Sequence, residues 1–304
     1  MSSGPRVSVG LPVFNGERYL EEAISSILAQ DYTDFELIIS DNASDDRTEE
    51  ICTQFQRRDA RVRYERQSDN RGAAWNFNHV FARSQGEYFK WAAADDVLAP
   101  AFLQRCVAVL ETKSEVIVAH PRTLLIGPDG EELGRISHAR TYDPRPYRRF
   151  REMAVRPHGC HAVFGLIRAE VLRRTVLIGG YTSSDRVLLA DLVLRGPFRE
   201  VEEDLFLSRQ HSGRSGYSYS RHQRATWFDP ANAGRLLFPT WRMGEELIRV
   251  VLRAPIPPWE KARCLLQFGP WAWRHRGYLV NDVVVGARLL PHALLAPAST
   301  LARQ

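Results

Sequence analysis

Polar side chains follow four apolar runs in the first hundred residues of the 304-residue chain, and their chemistry suits a phosphate group or a cation. In chain order, the polar segments are Pro12–Glu17, Ser40–Asp46, Asn70–Asn76 and Ala94–Asp96. Taken singly, each segment has the composition of a helix cap or a surface turn. Four unrelated caps would not all need amides and carboxylates, so the repetition favours one shared ligand site.

Asp95 and Asp96 carry the strongest chemical signal, because adjacent carboxylates repel each other unless a cation or a hydrogen-bond network compensates. A hard divalent cation with oxygen ligands is the natural partner. Mg²⁺ and Mn²⁺ in such sites usually bind together with substrate phosphates. The pair therefore predicts a divalent cation, Mn²⁺ or Mg²⁺, that neutralises a diphosphate leaving group.

The elements that must position these segments alternate between strand and helix. Four apolar runs have the character of buried strands: residues 7–12, 35–40, 62–65 and 88–93. Four segments have helical spacing of apolar side chains: residues 17–29, 48–57, 73–82 and 100–110. This order predicts an α/β fold with a mostly parallel, Rossmann-like sheet flanked by helices on both faces. Ligands bind beyond the carboxyl ends of such strands, where the polar segments fall.

The alternation stops after Glu111. The later patterns predict strands at 116–120, 123–126, 160–167 and within 198–208, a loop at 137–157 and a helix at 186–194. From about residue 226 onward, helical patterns interrupted by prolines dominate, which predicts a helical C-terminal extension.

Charge and composition limit the classes of protein. Residues 205–304 contain 14 Lys and Arg against 5 Asp and Glu, whereas the preceding residues are slightly acidic. Such a basic segment suits nucleic acid, an anionic membrane or a phosphate-bearing substrate, or is simply a solvated surface. The four cysteines are far apart, which argues against a zinc knuckle and gives no sign of a disulfide scaffold. Without the apolar core of a signal peptide or an apolar run of spanning length, the chain is expected in the cytoplasm.

Motifs of several common enzymes are missing. No GxGxxG follows the first predicted strand, which argues against a dinucleotide-dependent oxidoreductase. The chain also lacks the GxxxxGK[ST] of a P-loop nucleotidase and the GxSxG of a hydrolase elbow.

The ordered polar segments resemble the sequence blocks of glycosyltransferase family 2, whose members have the GT-A fold. Val9-Gly-Leu-Pro-Val-Phe-Asn15 is similar to the family's opening strand and nucleotide loop. The segment from Gln30 to Asp46 is similar to the family's second strand and base-recognition loop. Asn70-Arg-Gly72 with Asn76, and Trp91-Ala-Ala-Ala-Asp-Asp96, resemble the third block and the metal-binding block. The resemblance covers about residues 6–210. It implies an inverting transferase that uses a nucleotide-diphosphate sugar donor and a hydroxyl-bearing acceptor.

The resemblance also implies roles for individual residues. Those expected to bind the nucleotide sugar are Pro12, Phe14, Asn15, Glu17, Asp41, Arg71, Gly72, Asn76, Ala94, Asp95 and Arg209. Those expected to hold the metal are Asp95, Asp96 and His211. The family block is usually Asp-x-Asp, and Ala93 stands where its first Asp would be, so metal dependence is an expectation that this departure weakens.

The acceptor side is expected to supply a general base. Asp185 in Ser183-Ser-Asp-Arg resembles the family's late acidic block, in which an Asp at a helix start deprotonates the acceptor hydroxyl. An N-cap role suits the same residue. Asp191 is the rival base, but it is expected to face solvent. The implied organisation is a GT-A catalytic domain at 1–215, with a donor half at 6–112 and an acceptor half at 113–215, followed by the extension at 216–304.

The basic, aromatic extension allows two interpretations. Tryptophans and arginines on amphipathic helices fit a peripheral contact with the inner face of a membrane. They equally fit a helical cap packed on the catalytic domain, which we favour.

Several activities fit these patterns. The main one is sugar transfer in the synthesis of a cell-surface polysaccharide, a glycolipid or a glycosylated metabolite. The alternatives are a non-catalytic nucleotide-sugar-binding protein, which would lack a base, and a sugar-nucleotide nucleotidyltransferase, which would need a basic, Gly-rich loop after the first strand. A nucleic-acid partner is not expected.

Overall fold

Nine strands form one sheet in the part of the chain that the computed structural model describes, which is residues 4–136, 139–214 and 221–295. The strands are β1 (Val7–Val13), β2 (Phe35–Asp41), β3 (Val62–Arg66), β4 (Tyr88–Trp91), β5 (Val97–Leu98), β6 (Val118–Ile126), β7 (Glu132–Ile136), β8 (Leu166–Arg168) and β9 (Phe198–Arg209). Their spatial order is β3-β2-β1-β4-β8-β6-β9-β5, with β7 beside β6. Strands β1 to β4 are parallel, whereas β8, β5 and β7 pair antiparallel with their neighbours.

Helices cover the sheet and extend beyond it. They are α1 (Leu20–Leu28), α2 (Thr48–Arg58), α3 (Ala73–Ala82), α4 (Phe102–Thr112), α5 (Pro146–Ala154), α6 (Ala169–Leu172), α7 (Ser184–Arg195), α8 (Arg221–Phe228), α9 (Pro239–Arg253), α10 (Pro258–Leu265) and α11 (Phe268–Leu295). The predicted α/β fold with flanking helices and a helical C-terminal region is thereby confirmed. The sheet is parallel around the four polar segments and mixed in its second half.

The parallel half of the sheet is buried on both faces. All seven residues of β1 and all seven of β2 are buried, as the near-continuous apolar runs require. Helix α3 lies close against β1 at Gly10, where a Cβ atom would stand 2.7 Å from Val80 Cγ2. Only glycine permits this approach, and it brings the third polar segment next to the first.

Three expectations for the second half are wrong. The predicted loop at 137–157 contains α5, which begins at Pro146 in the favoured first-turn position and buries Phe150 and Met153. The predicted strand at 160–167 is a 3₁₀ turn, His161–Phe164, followed by the short β8. The two strands predicted at 116–120 and 123–126 form one strand, β6, whose register on β9 shifts next to Pro121.

The C-terminal helices pack on the acceptor half through their own apolar cluster. Met243, Leu247 and Trp271 belong to a cluster that also contains Phe150 of α5 and Leu194 of α7. This contact confirms packing for one face of the extension. None of the described helices is both long and apolar enough to cross a membrane. The predicted domain boundary at 215/216 lies outside the described residues.

Candidate functional site

The loops after β1 and β2 are bonded to each other by side chains from the predicted site. Asn15, whose backbone is in the left-handed region at φ 51°, accepts a hydrogen bond on Oδ1 from the Asp45 N–H at 3.0 Å. Glu17 Oε2 accepts one from the Arg47 N–H at 3.1 Å, and the Glu17 N–H donates to Asp46 Oδ2 at 2.9 Å. The two loops therefore form one rigid edge above the sheet.

Two further predicted residues of this edge differ in exposure. Pro12 lies inside the buried β1, where it pairs in register with Ser40 of β2. The Phe14 ring is 43% exposed at the end of the strand. An exposed aromatic ring beside a polar loop can stack on a planar ligand. Phe14 is thus placed to contact a ligand, and Pro12 to shape the strand beneath it.

Asp41 is fixed at the carboxyl end of β2 and is fully buried. Its Oδ2 accepts a hydrogen bond from the Tyr64 O–H at 2.8 Å, and its Oδ1 accepts one from the Ser44 N–H at 2.9 Å. Arg66 Nε lies 3.6 Å from Oδ2. Burial, followed by the bond to Asp41, raises the pKa of Tyr64, so its hydroxyl stays protonated as a donor. The carboxylate is therefore held in one orientation at the strand end.

Gly72 and Arg71 begin the third segment. Gly72 has φ 85°, and a Cβ there would lie 2.6 Å from the Phe228 carbonyl oxygen, so the segment after α8 closes directly over it. The Arg71 guanidinium stacks on the Trp75 ring at 4.0 Å from its centroid. The stack orients a cation near the edge of the sheet.

Asn76 lies deeper than the sequence implies. It is 2% exposed, and its Nδ2 donates to the carbonyl oxygens of Val13 at 3.3 Å and Ser40 at 2.9 Å. Its Oδ1 is buried without a hydrogen-bond partner among the described residues. Asn76 thus joins the carboxyl ends of β1 and β2, and its Oδ1 can still accept a hydrogen bond.

Asp95 and His211 meet at the fourth segment. His211 Nε2 lies 3.0 Å from Asp95 Oδ2, and the His211 ring packs against Tyr19. Asp96 is 4% exposed; its Oδ1 accepts the Arg209 N–H at 2.8 Å, while its Oδ2 is buried without a described partner. Burial and the neighbouring Asp95 charge raise the pKa of Asp96 to about 7. The structure therefore brings two predicted metal ligands together and buries the third.

This arrangement fits a divalent cation only in part. Among the described residues, no group of three His, Cys, Asp or Glu side chains is arranged to hold a metal ion. Asp95 and His211 offer one oxygen and one nitrogen. Mg²⁺ and Mn²⁺ commonly take a few protein ligands and complete their shell with water and substrate phosphate oxygens. The pair therefore fits a cation that arrives with a diphosphate.

Arg209 lies beneath this pair and is 2% exposed. Its Nε donates to the Asp95 carbonyl oxygen at 3.1 Å, and its Nη1 to the Pro128 carbonyl oxygen at 3.0 Å. Its Nη2 bonds Glu22 Oε2 at 2.6 Å. The sequence implies a charge clamp on the diphosphate, whereas this geometry makes Arg209 a residue that positions the Asp95 backbone.

Asp185 sits in the first turn of α7, half-buried, after Ser183 in the left-handed region at φ 68°. Burial, followed by the Asp185 charge, raises the pKa of the Cys160 thiol, so this thiol stays protonated beside the carboxylate. The expectation that the rival, Asp191, faces solvent is wrong. Asp191 is 2% exposed and paired with Arg195 at 2.9 Å, because α7 is buried on nearly all sides.

Two amides tie the loop before α7 to the rest of the site. Asn78 of α3 donates from Nδ2 to the Ile178 carbonyl oxygen at 2.8 Å and accepts the Ile178 N–H at 3.1 Å. Asn232 Nδ2 donates to the Gly180 carbonyl oxygen at 2.8 Å. Sequence reasoning missed both residues. Their partners lie 100 and 52 positions away, so no local signal could have identified them.

The sequence model of glycosyl transferase family 2 matches residues 8–176. The chain belongs to this family, as the order of the polar segments implies. It is 38% identical over 112 residues to the putative glycosyltransferase EpsE of Bacillus subtilis, which is 36% of this chain and 40% of that protein. It is 31% identical over 142 residues to the putative teichuronic acid biosynthesis glycosyltransferase TuaG of the same organism, which is 46% and 56% of the two chains. The chain therefore matches only about half, or less, of these relatives' length.

Solved structures share the fold at low sequence identity. S. aureus TarS 1–349 in complex with UDP-GlcNAc superposes with a TM-score of 0.68 and 13% identity, covering 91% of this chain and 79% of that one. The mannosyltransferase PcManGT from Pyrobaculum calidifontis, in complex with GDP-Man and Mn²⁺, gives 0.52 and 19%, covering 94% and 88%. The likeness confirms the GT-A architecture predicted for the chain.

Proposed function

We propose that the protein is an inverting glycosyltransferase that moves a sugar from a nucleotide-diphosphate sugar to a hydroxyl acceptor. The observation that carries the proposal is the set of polar loops at the carboxyl ends of β1 to β4, which we call the donor edge. There the Asn15–Asp45 bond, the fixed Asp41 carboxylate and the Asp95–His211 pair lie on consecutive strand ends. Ligands bind at this edge of parallel α/β sheets.

The nucleotide is proposed to occupy the first three segments. Phe14 offers an exposed ring for the base, Asp41 a fixed acceptor, and Arg71 an oriented cation. Structural neighbours in complex with UDP-GlcNAc and with GDP-Man fit a nucleotide-sugar donor of this kind. Gly72 allows the segment after α8 to approach, and Ala94 leaves room beside Asp95.

A divalent cation is proposed to bind with the donor diphosphate at Asp95 and His211. When bound, it would neutralise charge that develops on the leaving diphosphate. Asp96 and Arg209 support the pair from below through the hydrogen bond between them. The neighbour in complex with GDP-Man and Mn²⁺ supports cation use in this fold.

Asp185 is proposed to take the proton from the acceptor hydroxyl as that oxygen attacks the anomeric carbon. Attack on the face opposite the diphosphate breaks the bond to the leaving oxygen and inverts the configuration. The position of Asp185 relative to the donor edge is fixed through the Asn78 contacts of α3.

Inversion can be tested without the acceptor. A nucleotide sugar that raises the melting temperature of the protein is incubated with it and Mn²⁺, and slow transfer to water is followed by proton NMR. An α-linked donor should first release the β-anomer, which appears before mutarotation mixes the two forms. Initial release of the α-anomer would contradict inversion, and boiled protein controls for spontaneous hydrolysis.

The exposed face of the extension is proposed to contact the inner face of a membrane. Trp241, Trp259 and Trp273 are 53%, 64% and 70% exposed, whereas Trp271 is buried in the packing contact. Exposed tryptophans beside arginines suit the boundary between lipid and water. This placement would present the active site to cytoplasmic donor and to a growing polysaccharide or glycolipid, with residues 1–215 as the catalytic unit.

A non-catalytic nucleotide-sugar-binding protein remains the second candidate. It would keep the polar loops at the strand ends but have no use for Asp185 at the start of α7, behind a loop anchored at Ile178 and Gly180. A nucleotidyltransferase is disfavoured because the loop after β1 offers Arg18 as its nearby cation and carries Glu17 beside it. Sugar transfer catalysed by the wild-type protein would exclude the non-catalytic binding protein.

A further inference from the structure

A cavity of about 720 Å³ opens between the beginning of α7 and the C-terminal helices. This volume falls in the range of small-molecule sites. Its walls come from the end of α5, the loop before α7, and helices α7, α8, α9 and α11. Five arginines line it: Arg156, Arg186, Arg224, Arg274 and Arg276. No Asp or Glu is among the described residues that line it, so the wall is strongly cationic.

Four of the five arginines form no ion pair with a carboxylate among the residues that the structure describes. Arg156 is paired with Glu152 at 3.1 Å, and the Arg186 guanidinium lies 2.8 Å from His158 Nε2. Burial and the Arg186 charge lower the pKa of His158, so the ring adds no second charge to neutralise. The buried Nε of Arg224 has no hydrogen-bond partner within the described ranges. Like charges that line one cavity favour an anion between them.

The cavity adjoins the proposed base and not the donor edge. Ser183 and Arg186, which flank Asp185, both line it. None of the residues predicted to bind the donor does. Helix α8, which carries Arg224, ends at Phe228, whose carbonyl oxygen covers Gly72 at the donor edge. The cavity and the polar loops at the strand ends therefore both contact the segment that contains α8.

We propose that this cavity binds a phosphate group of the acceptor, so that the acceptor hydroxyl is presented to Asp185. This assignment rests on the proposed function, since a transferase requires an acceptor. Arginine forks bind phosphate oxygens bidentately, and an unsatisfied guanidinium N–H is a ready donor for them. The exposed rings of Trp273 and Tyr278 at the same cavity leave its mouth open to a large, partly apolar molecule.

Titration with inorganic pyrophosphate, in metal-free buffer without nucleotide, tests the cavity directly by calorimetry. The wild-type protein should bind, and the Arg224→Gln/Arg274→Gln double variant should bind at least about tenfold more weakly, since charge-assisted hydrogen bonds are lost. Arg224→Lys, which keeps the charge but not the fork, should fall between them. Arg235→Gln, on an exposed residue of the same region that does not line the cavity, is the matched control and should bind like wild type.

The melting temperature of each variant shows whether it is folded. If the double variant is unstable, the Arg274→Gln single variant, at an exposed position, replaces it in the pyrophosphate titration. Vesicles of phosphatidylcholine with phosphatidylglycerol distinguish the sources of the phosphate. Vesicle binding that pyrophosphate displaces and the double variant loses would indicate a lipid-borne phosphate. Pyrophosphate binding without vesicle binding would indicate a soluble or polymeric one.

The proposal is overturned if wild type does not bind pyrophosphate, or if the double variant binds it equally well. Stabilisation of the wild-type protein by nucleotide sugars is measured separately. If nucleotide sugars fail to stabilise the protein while pyrophosphate binds through Arg224 and Arg274, the proposed function fails and the anion site stands. The reverse pattern leaves the donor site intact and removes the anion site.

Discussion

Replacement of Asp185 by asparagine should lower kcat by about 10²- to 10⁴-fold, the contribution of a well-placed general base. Asparagine keeps the shape of the side chain, but it cannot take the proton of the acceptor hydroxyl. Donor binding should be preserved, because the Asn15, Asp41 and Asp95 contacts do not involve α7. Steady-state kinetics and the thermal shift produced by the donor give the two readouts.

Two other carboxylates serve as controls, one on α6 and one further along α7. Glu170→Gln, on the exposed face of α6, should leave both readouts unchanged. Asp191→Asn breaks the buried pair with Arg195 and should lower stability by about 1–3 kcal/mol. It should leave kcat of the folded protein near wild type. Near wild-type turnover by the Asp185 variant, or loss of turnover in a folded Asp191 variant, would show that Asp185 is not the base.

Replacement of Asp95 by asparagine should lower kcat/KM by about 10²- to 10³-fold, as expected when one charge-stabilising group is removed from an active site. The change removes the charge that faces His211 and, as proposed, the cation. Neutral asparagine is a weaker ligand for Mn²⁺ and Mg²⁺ than a carboxylate. The variant should also lose the part of donor-induced stabilisation that depends on added Mn²⁺.

Asp129→Asn, in the exposed turn before β7, is the control for loss of one carboxylate. His211→Gln should reduce the Mn²⁺-dependent part of donor-induced stabilisation less than Asp95→Asn does, because the histidine change removes a ligand without a negative charge. An Asp95 variant with the wild-type response to Mn²⁺ would exclude this carboxylate as a cation ligand. The comparison is made at one fixed donor concentration, since bound ligand itself raises the melting temperature.

The parallel half of the fold could be predicted because its signals are local. Helix α3 begins and ends at the predicted residues, and β1 and β2 each exceed the prediction by one residue. Buried parallel strands have continuous apolar runs, and the intervening helices have clear apolar spacing. Because these signals are local, the sequence also predicts which strand each polar segment follows, and the structure has the segments at those strand ends.

The second half depends on contacts between distant residues, which a single sequence does not show. Helix α5 is hidden among Arg, Pro and Tyr because its apolar face is covered by α7 and by α10 and α11, the last two more than a hundred residues later. Asp191 was misplaced because α7 is enclosed by two clusters instead of lying at a surface. Tertiary packing overrides such local patterns.

Lys90 illustrates the same limit within the well-predicted part. It is fully buried in β4, and its Nζ donates to the carbonyl oxygens of Trp91 at 2.9 Å and Phe164 at 2.7 Å. Burial lowers its pKa to about 7. The Phe164 carbonyl lies 74 positions away, so the sequence gives no sign that a lysine belongs inside this strand.

The proposed activity depends most on the donor site, and a thermal-shift panel tests that site directly. UDP-, GDP-, dTDP- and CDP-sugars are each measured with and without Mn²⁺ on the wild-type protein and on the Asp95→Asn variant. A ligand present at 100 times its Kd stabilises the native state by about 2.7 kcal/mol. We expect at least one nucleotide sugar to raise the wild-type melting temperature, more strongly with Mn²⁺ and less in the variant. No shift with any of the four, with or without Mn²⁺, would contradict the assignment of the joined strand ends as a nucleotide-sugar site.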